Sequence, residues 1–174
     1  KHCLCYAGGY MKYNADNSLY ESITHQTDKA PYSLHYTEVP MTDAPALYLH
    51  WHDEMEFLYL SQGSLHFHVE DKIFLLHAGD GIFIPSGLLH YATTYGDEQP
   101  HFYAFVLSPE FIFPIFDSHR FSTYLAPILH NNLAFTTKLT PDEPWQKIIL
   151  SYLKNIFETY EVKNRNFLKN YCVS

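Results

Sequence analysis

Short apolar segments alternate with turn residues through the middle of the chain. The segments cover residues 32–39, 46–51, 55–61, 64–69, 72–77, 81–85, 90–95 and 101–107. Neighbouring segments are separated by Pro45, Gly63, Gly79, Pro85–Gly87 and Gly96. Because many short strands at this spacing are typical of β-sandwiches and barrels, the pattern predicts a mainly β domain.

Beyond the last of these segments, the hydrophobic period changes to that of helices. Residues 118–130 carry a helical stripe that Pro127 interrupts. A longer helix is predicted to start at Thr140 as its cap, with Pro141 in the first turn and Glu143 completing a capping box. The apolar stripe of this helix is Trp145, Ile148, Ile149, Tyr152, Leu153, Ile156, Phe157 and Tyr160.

The two ends of the chain differ from the middle in their hydrophobic pattern. Residues 1–31 are polar and lack a sustained period, so we interpret them as an N-terminal extension. A second helical stripe starts near the C-terminus with Phe167, Leu168, Tyr171 and Cys172. Two turns of helix are marginal alone, so we expect the natural protein to continue, the alternative being a frayed natural end. The predicted division is an extension (1–31), a barrel (32–112) and a helical segment (113–174).

Composition narrows the class of protein. The chain has 174 residues, and its 15 tyrosines and 13 phenylalanines favour strands and a ring-lined interior. A net charge of −8 with 11 basic residues argues against DNA binding by this chain alone. No apolar run is long enough to span a membrane. The 3 cysteines, Cys3, Cys5 and Cys172, fit no disulfide framework and are predicted to be reduced thiols of a cytoplasmic protein.

Histidine and glutamate side chains converge around the stretch HWHDEME. Because side chains alternate along a strand, His50, His52 and Glu56 are predicted to share one face. Two imidazoles and a carboxylate can hold a divalent transition metal, and His90 is the candidate fourth ligand. The alternative is a hydrogen-bonded polar network inside a barrel. His66 and His68 alternate with core-facing residues, so both are predicted to face solvent.

The spacing of these residues resembles the two motifs of the cupin family. The first motif is matched by His50-x-His52, three residues, Glu56, six residues and Gly63. The second is matched by Gly79, five residues, Pro85-x-Gly87, two residues and His90.

Two positions depart from the cupin pattern, and neither is a metal ligand in the family. Ala44 stands where the family has its leading glycine, and Thr94 where it has an asparagine. The resemblance implies a double-stranded β-helix, a jelly-roll barrel, followed by C-terminal α-helices. It also implies a divalent metal (Zn, Ni, Fe or Mn) whose ligands are His50, His52, Glu56 and His90.

A longer stretch, from HWHDEMEF through GDGIFIPSGLLH to FYAFVLSPEFI, resembles the N-terminal effector domain of AraC-family transcriptional regulators. This resemblance covers roughly residues 32–174. It implies a non-enzymatic domain that binds a small molecule, such as a sugar or related metabolite, inside the barrel. It also implies a homodimer formed through the 140–160 helix, and DNA contacts made only by a helix-turn-helix domain absent from this chain. Candidate pocket walls, which the pattern alone does not orient inward, are Tyr48, Tyr59, Tyr91 and Tyr103.

The alternative function is a metal-dependent cupin enzyme, such as an oxygenase or sugar isomerase. The complete set of metal ligands favours this alternative. No second acid or base can be identified in the sequence, which argues against it.

Overall fold

The computed structural model describes residues 19–21, 32–109, 118–129 and 137–171. All the strands predicted from the alternating pattern are confirmed. Their bounds are Tyr32–Glu38 (β1), Leu47–His50 (β2), Met55–Gln62 (β3), Ser64–Val69 (β4), Lys72–His77 (β5), Gly81–Ile84 (β6), His90–Thr94 (β7) and His101–Leu107 (β8). A further short strand, Thr137–Leu139 (β9), follows later in the chain.

The strands form two antiparallel sheets that together make a jelly-roll barrel. One sheet has five strands in the order β1-β8-β3-β6-β9, and the other has four in the order β2-β7-β4-β5. The side chains between the sheets are buried because alternate residues of each strand point inward. This core contains Val39, Leu58, Leu60, Leu65, Phe67, Val69, Leu76, Ile82, Ile84, Ala92 and Phe102.

Strand β9 lies inside the segment that was expected to be helical. It pairs with β6 through Gly81↔Leu139, so the barrel extends past residue 112. Lys138 links β9 to β5, since its Nζ donates a hydrogen bond to the Leu75 carbonyl oxygen at 2.7 Å. A three-residue strand has too little alternation to be recognised from sequence, and its pairing is fixed only in the folded barrel.

The helical stripe at 118–130 is confirmed over most of its length. It consists of Ser118–Arg120 (α1), a π-helical turn at Phe121–Leu125 and Ala126–Leu129 (α2). Pro127 lies in α2, just after the π-helical turn. Proline cannot donate a backbone hydrogen bond, so an irregular turn at this point is expected.

The last helix, Pro144–Tyr171 (α3), differs from the sequence prediction at both ends. The predicted cap at Thr140 is wrong, and the helix begins at Pro144 instead. A proline clashes with the helical conformation of the residue before it. Pro144 therefore disfavours Glu143 inside a regular helix, and the helix begins one residue later. The Thr140 backbone N–H instead donates to Gln146 Oε1 at 2.7 Å. The expected second helix is also absent from this part of the described chain, because residues 161–166 contain no helix breaker and α3 continues through them.

Helix α3 packs on the outer face of the five-stranded sheet. Leu150, Leu153 and Phe157 are buried there, and Phe157 stacks on Tyr103 with ring centroids 4.7 Å apart. Another side of the helix exposes four large apolar residues to solvent. They are Trp145, Ile148, Tyr152 and Ile156, which are 54%, 56%, 65% and 37% exposed.

Within the described residues, no helix combines the length and apolar character needed to cross a membrane. The prediction of reduced thiols concerns Cys3, Cys5 and Cys172, all of which lie outside the described residues.

Candidate metal centre

Two strands of one sheet and one strand of the other bring four candidate ligands together at one end of the barrel. His50 closes β2, His52 follows it, Glu56 lies in β3 and His90 opens β7. The pairing of β2 with β7 places His50 opposite His90. All four side chains are buried, and one ligand atom from each lies within 4.8 Å of the others. The four predicted residues are therefore grouped in the fold, although they lie on strands of both sheets and not on one face of a single strand.

Backbone carbonyl groups fix the orientation of the three imidazole rings. Nδ1 of His50 lies 2.7 Å from the Tyr48 carbonyl oxygen, and Nδ1 of His90 lies 2.7 Å from that of Leu88. Nδ1 of His52 lies 3.1 Å from the carbonyl oxygen of Glu54. Because a carbonyl oxygen only accepts hydrogen bonds, Nδ1 carries the proton in each ring. In its neutral form each ring therefore directs the lone pair of Nε2 into the cluster, as metal-binding histidines do.

The Glu56 carboxylate completes the cluster. Its Oε2 lies 3.3 Å from His52 Nε2 and 3.4 Å from His90 Nε2. Burial would raise the pKa of Glu56, but the adjacent imidazoles of His52 and His90 outweigh it and hold that pKa well below its usual value. The charge of the carboxylate is therefore retained inside the barrel, where an unpaired carboxylate would be costly.

The histidines respond differently to this environment. Burial, followed by the repulsion of His90, lowers the pKa of His50. Burial also acts to lower the pKa of His52, but the hydrogen bond and charge of Glu56 raise it above the usual value. A proton on His52 can therefore satisfy one contact with Glu56, as the polar-network alternative requires. It cannot satisfy His50, whose lowered pKa favours the neutral ring.

The donor set fits a divalent metal ion. Among the described residues, the buried Nε2 of His90 has no hydrogen-bond partner. Ligands about 2.1 Å from a metal lie about 3.0 Å apart in an octahedron and about 3.4 Å apart in a tetrahedron. The contacts of 3.3 and 3.4 Å around Glu56 Oε2 agree with such edges. Three imidazoles and one carboxylate suit Zn, Ni, Fe or Mn, and a bound ion would supply Lewis acidity at the end of the barrel.

The four tyrosines that were candidate pocket walls do not surround the cluster of His50, His52, Glu56 and His90. Tyr59 and Tyr103 pack against α3 on the outside of the barrel. Tyr48 and Tyr91 line a groove of ≈ 440 Å³ that includes none of the candidate ligands. Strand alternation explains this placement for Tyr59, Tyr91 and Tyr103, whose neighbours point inward. Tyr48 is 44% exposed because the register of β2 shifts between Leu47 and His50.

His66 and His68 lie apart from the cluster, on the side of β4 opposite its buried residues. The His66 ring packs on Tyr95 with centroids 4.6 Å apart, and the His68 ring stacks on Tyr91 at 4.1 Å. These placements agree with the prediction that neither histidine belongs to the metal centre.

Sequence reasoning missed an acidic residue beside the cluster. Glu21 belongs to the segment interpreted as an extension, and its Oε2 lies 3.5 Å from His50 Nε2. Its side chain is 7% exposed. No local pattern connects residue 21 to residue 50, so only the folded chain reveals the contact.

Comparison with known proteins supports the fold. Residues 39–106 match the Cupin domain family. The chain is 28% identical over 148 residues to the uncharacterized HTH-type transcriptional regulator YdeC of Bacillus subtilis, an alignment that covers 85% of this chain. The chain spans about half the length of that relative, 50% of it.

Solved structures extend the comparison. Apo ToxT K231A from Vibrio cholerae matches 75% of this chain and 48% of its own with a TM-score of 0.52 and 14% identity. Bacillus subtilis oxalate decarboxylase, described with Mn(II) centres, matches 35% of this chain and 18% of its own at 29% identity and a TM-score of 0.32. The central part of the chain thus matches the Cupin domain family, and most of its length is similar to part of a helix-turn-helix transcriptional regulator.

Proposed function

We propose that this chain is the ligand-sensing and dimerisation part of an AraC-type transcriptional regulator. The observation that carries the proposal is the similarity of 85% of the chain to half of an HTH-type regulator. The remaining half of that relative is long enough for a DNA-binding domain of two helix-turn-helix units. With a net charge of −8, this chain would contact DNA only through such a domain. A regulator of this kind works in the cytoplasm.

The effector is a small molecule, such as a sugar or related metabolite, held at the buried cluster of His50, His52, Glu56 and His90. Small-ligand sites combine apolar walls with a few converging polar groups. Here the four side chains are the polar groups, directly or through a divalent metal, and the core residues above them are apolar. Binding controls transcription only if the effector favours one arrangement of the DNA-binding domains over another.

Dimerisation is assigned to the exposed side of α3. One stripe on that side consists of Trp145, Ile148, Tyr152 and Ile156. Among the described residues, these are the members of the predicted dimerisation set that are exposed to solvent. Leu153 and Phe157 belong to the barrel interface instead. A second copy of the chain would bury the stripe in the manner of helix–helix packing.

The test uses the full-length protein and its coding sequence beyond Ser174. Two helix-turn-helix patterns with basic recognition helices should follow. In a reporter assay on the natural promoter, His52→Ala should abolish the response to the effector while DNA binding is retained. His66→Ala on the outer face serves as the control. Normal regulation by the His52→Ala protein would contradict the sensing role.

A metal-dependent cupin enzyme is the second candidate function. The observation that favours it is the complete and buried set of three histidines and one glutamate. Such an enzyme should lose turnover on chelation and in the His52→Ala variant, whereas the regulator would show no turnover at all. No transformation of candidate sugars by the metal-loaded protein would exclude a sugar isomerase.

A further inference from the structure

The hairpin between β4 and β5 is tied to the segment that leads into His90. Val69 lies opposite His90 where β4 pairs with β7, so the next pair in this register is Glu70 and Leu89. The Glu70 backbone N–H donates to the Leu89 carbonyl oxygen at 2.8 Å. In a regular antiparallel pair, the return bond would run from the Leu89 backbone N–H to the backbone carbonyl oxygen of Glu70. Here the Leu89 N–H donates to the carboxylate oxygen Oε1 of Glu70, also at 2.8 Å.

The conformation of Glu70 explains why its side chain takes this place. Glu70 is the first of the two residues that reverse the chain between Val69 and Lys72, which pair with each other. Its φ is +52°, a value that L-amino acids rarely adopt and that favours glycine at the first position of a two-residue turn. Glycine would relieve the backbone but has no side chain to accept the Leu89 N–H. The turn and the bond to Leu89 therefore place opposite demands on residue 70, and backbone strain of this kind is a pointer to function.

The segment before His90 is fastened at both ends. At its start, the Gly87 backbone N–H donates to the His52 carbonyl oxygen at 2.8 Å. At its end, Leu89 is held by the two bonds to the hairpin. Between them lies Leu88, whose carbonyl oxygen accepts the hydrogen bond from Nδ1 of His90 at 2.7 Å. The bonds to Leu89 therefore help to fix the carbonyl group that orients the His90 ring.

The His90 ring is closely confined within the cluster. Its side chain is 1% exposed, and its Nε2 lies 3.4 Å from Glu56 Oε2. Its ring centroid lies 4.2 Å from that of His50. A metal site tolerates deviations of only about 0.2 Å in its ligand distances. Loss of the bond between Leu89 and the carboxylate would release the neighbouring Leu88 carbonyl group, and Nε2 of His90 would then leave that range.

We propose that Glu70 is a positioning residue for the candidate metal centre. Its carboxylate holds Leu89, and through the Leu88 carbonyl group it keeps the His90 ring in the orientation that directs Nε2 at a metal ion. The proposal rests on the metal centre described above. Glu70 is exposed at the surface and acts through the backbone, so the affinity of the buried site depends on a side chain outside it.

Three substitutions of Glu70 separate the hydrogen bond from the turn. Glu70→Gln keeps an oxygen atom that can accept from the Leu89 N–H. Glu70→Ala removes the acceptor and keeps the strained backbone, whereas Glu70→Gly removes the acceptor and relieves the strain. The matched control is Asp71→Ala, since Asp71 is the other central residue of the same turn and is also exposed.

Three measurements are made on each protein. Calorimetry gives the Zn²⁺ affinity, and urea unfolding without metal gives the stability of the fold. Hydrogen exchange of the Leu89 backbone amide, followed by NMR in the metal-free protein, reports the bond to residue 70 directly.

The Zn²⁺ affinity should fall about tenfold in both Glu70→Gly and Glu70→Ala, and exchange of the Leu89 amide should become faster in both. The affinity should stay within about twofold of the wild-type value in Glu70→Gln and in Asp71→Ala. Glu70→Gly should nevertheless be more stable than Glu70→Ala, because glycine suits the positive φ. A role in folding alone would instead make the loss of affinity follow the loss of stability.

Wild-type Zn²⁺ affinity in Glu70→Gly, together with a fast-exchanging Leu89 amide, would overturn the proposal and leave the four-residue centre intact. An equal loss of affinity in Glu70→Gln and Glu70→Ala would also overturn it, since the charge and not the hydrogen bond would then matter. If Zn²⁺ does not bind the wild-type protein, the metal centre itself is wrong, and the role of Glu70 falls with it.

Discussion

Lys138 Nζ lies 2.9 Å from Asp80 Oδ2, an ion pair that holds the edge strand β9 against the turn that leads into β6. Asp80 Oδ2 also accepts a hydrogen bond from the His77 backbone N–H at 3.0 Å. The carboxylate is nearly buried, whereas the Lys138 side chain is 29% exposed. The pair therefore connects a strand that the sequence did not predict to the body of the barrel.

Lys138→Met should lower the free energy of unfolding by about 1–3 kcal/mol, because it leaves a buried carboxylate without its cation. The lower part of this range allows for partial exposure of the lysine to water. Lys154→Met is the control, since its pair with Glu158 at 3.8 Å is more than half exposed on both sides. Urea unfolding followed by circular dichroism measures both. Equal stability of the two variants would show that the ion pair contributes nothing to the attachment of β9.

Removal of a barrel ligand should remove metal binding. His52→Ala is expected to lower the Zn²⁺ or Mn²⁺ content after dialysis to background, since three remaining ligands hold a divalent ion far less tightly. His66→Ala, on the outer face of β4, should retain the wild-type content. Elemental analysis gives the content, and a thermal shift on addition of metal gives the linked stabilisation. A wild-type metal content in the His52→Ala protein would contradict the assignment of this ligand.

The stability of the metal-free protein should depend on pH through Glu56, His52 and His50. The pKa of Glu56 is held well below 4.5 in the folded state, so its contribution is complete above pH 4.5 and is lost as the pH falls through that lowered pKa. The pKa of His52 is raised above 6.5, so its contribution is complete below pH 6.5 and is lost as the pH rises through the raised pKa. The pKa of His50 is lowered below 6.5 by burial, so its contribution is complete above pH 6.5 and is lost as the pH falls towards that lowered pKa. Stability should therefore be greatest near pH 6.5 and decline on both sides.

Chemical unfolding in the presence of a chelator, repeated across this pH range, measures the effect. Glu56→Gln should flatten both limbs of the curve, because the variant loses the charge that shifts both groups. Asp97→Asn, in an exposed turn, should leave the curve unchanged. A Glu56→Gln curve identical to that of the wild type would show that this pair does not set the pH dependence.

The two sides of α3 should respond differently to mutation. Leu153→Ala or Phe157→Ala should cost about 2–5 kcal/mol, because each leaves a cavity between the helix and the sheet. The double variant Ile148→Ser and Tyr152→Ser should cost less than about 1 kcal/mol in the folding of a single chain. It should weaken self-association, measured by analytical ultracentrifugation at several concentrations. A double variant that associates as strongly as the wild type would remove the exposed stripe from the dimer interface.

Gly63 and Gly96 form a matched pair for separating backbone strain from steric crowding. Both have positive φ, +73° and +83°, so alanine should cost about 1–2 kcal/mol at either site. A Cβ on Gly63 would also lie 2.8 Å from Pro100 Cα and 2.9 Å from the Glu98 carbonyl oxygen, whereas one on Gly96 would meet nothing within 4 Å. Gly63→Ala should therefore be more destabilising by about 1 kcal/mol or more in thermal unfolding. Equal losses of stability in the two alanine variants would show that the backbone near residue 63 relaxes to make room for the added Cβ.

Much of the barrel could be predicted because strand alternation is a local property. Parity along one strand does not explain why His50, His52 and Glu56 meet, because β2 ends at His50 and Glu56 lies in β3 of the other sheet. Their spacing in the cupin-like motifs identified the set. The same parity rule would have placed Tyr59 outside the barrel. It fails for Tyr48 because a shift of register in β2 is decided by pairing with β7 and leaves no mark in the sequence.

Contacts distant in the chain account for what the sequence did not reveal. Strand β9 exists because Leu139 completes the packing beneath α3, at a position opposite Gly81. A Cβ on Gly81 would lie 2.7 Å from the Leu58 carbonyl oxygen and 2.9 Å from Leu150 Cδ2, which explains why the strands and helix need a glycine there. Glu21 reaches His50 across a separation that no local periodicity can encode.

Strand β3 lies between the candidate metal centre and helix α3, with one on each of its two faces. Glu56 points into the barrel, whereas its neighbour Phe57 packs against the cluster of Leu139, Leu150, Leu153 and Phe157 on the other side. A ligand that shifted the backbone at Glu56 would therefore act next to the surface on which α3 rests. A molecule held at the cluster would therefore lie one strand away from the surface on which the helix packs, with no intermediate side chain between the two.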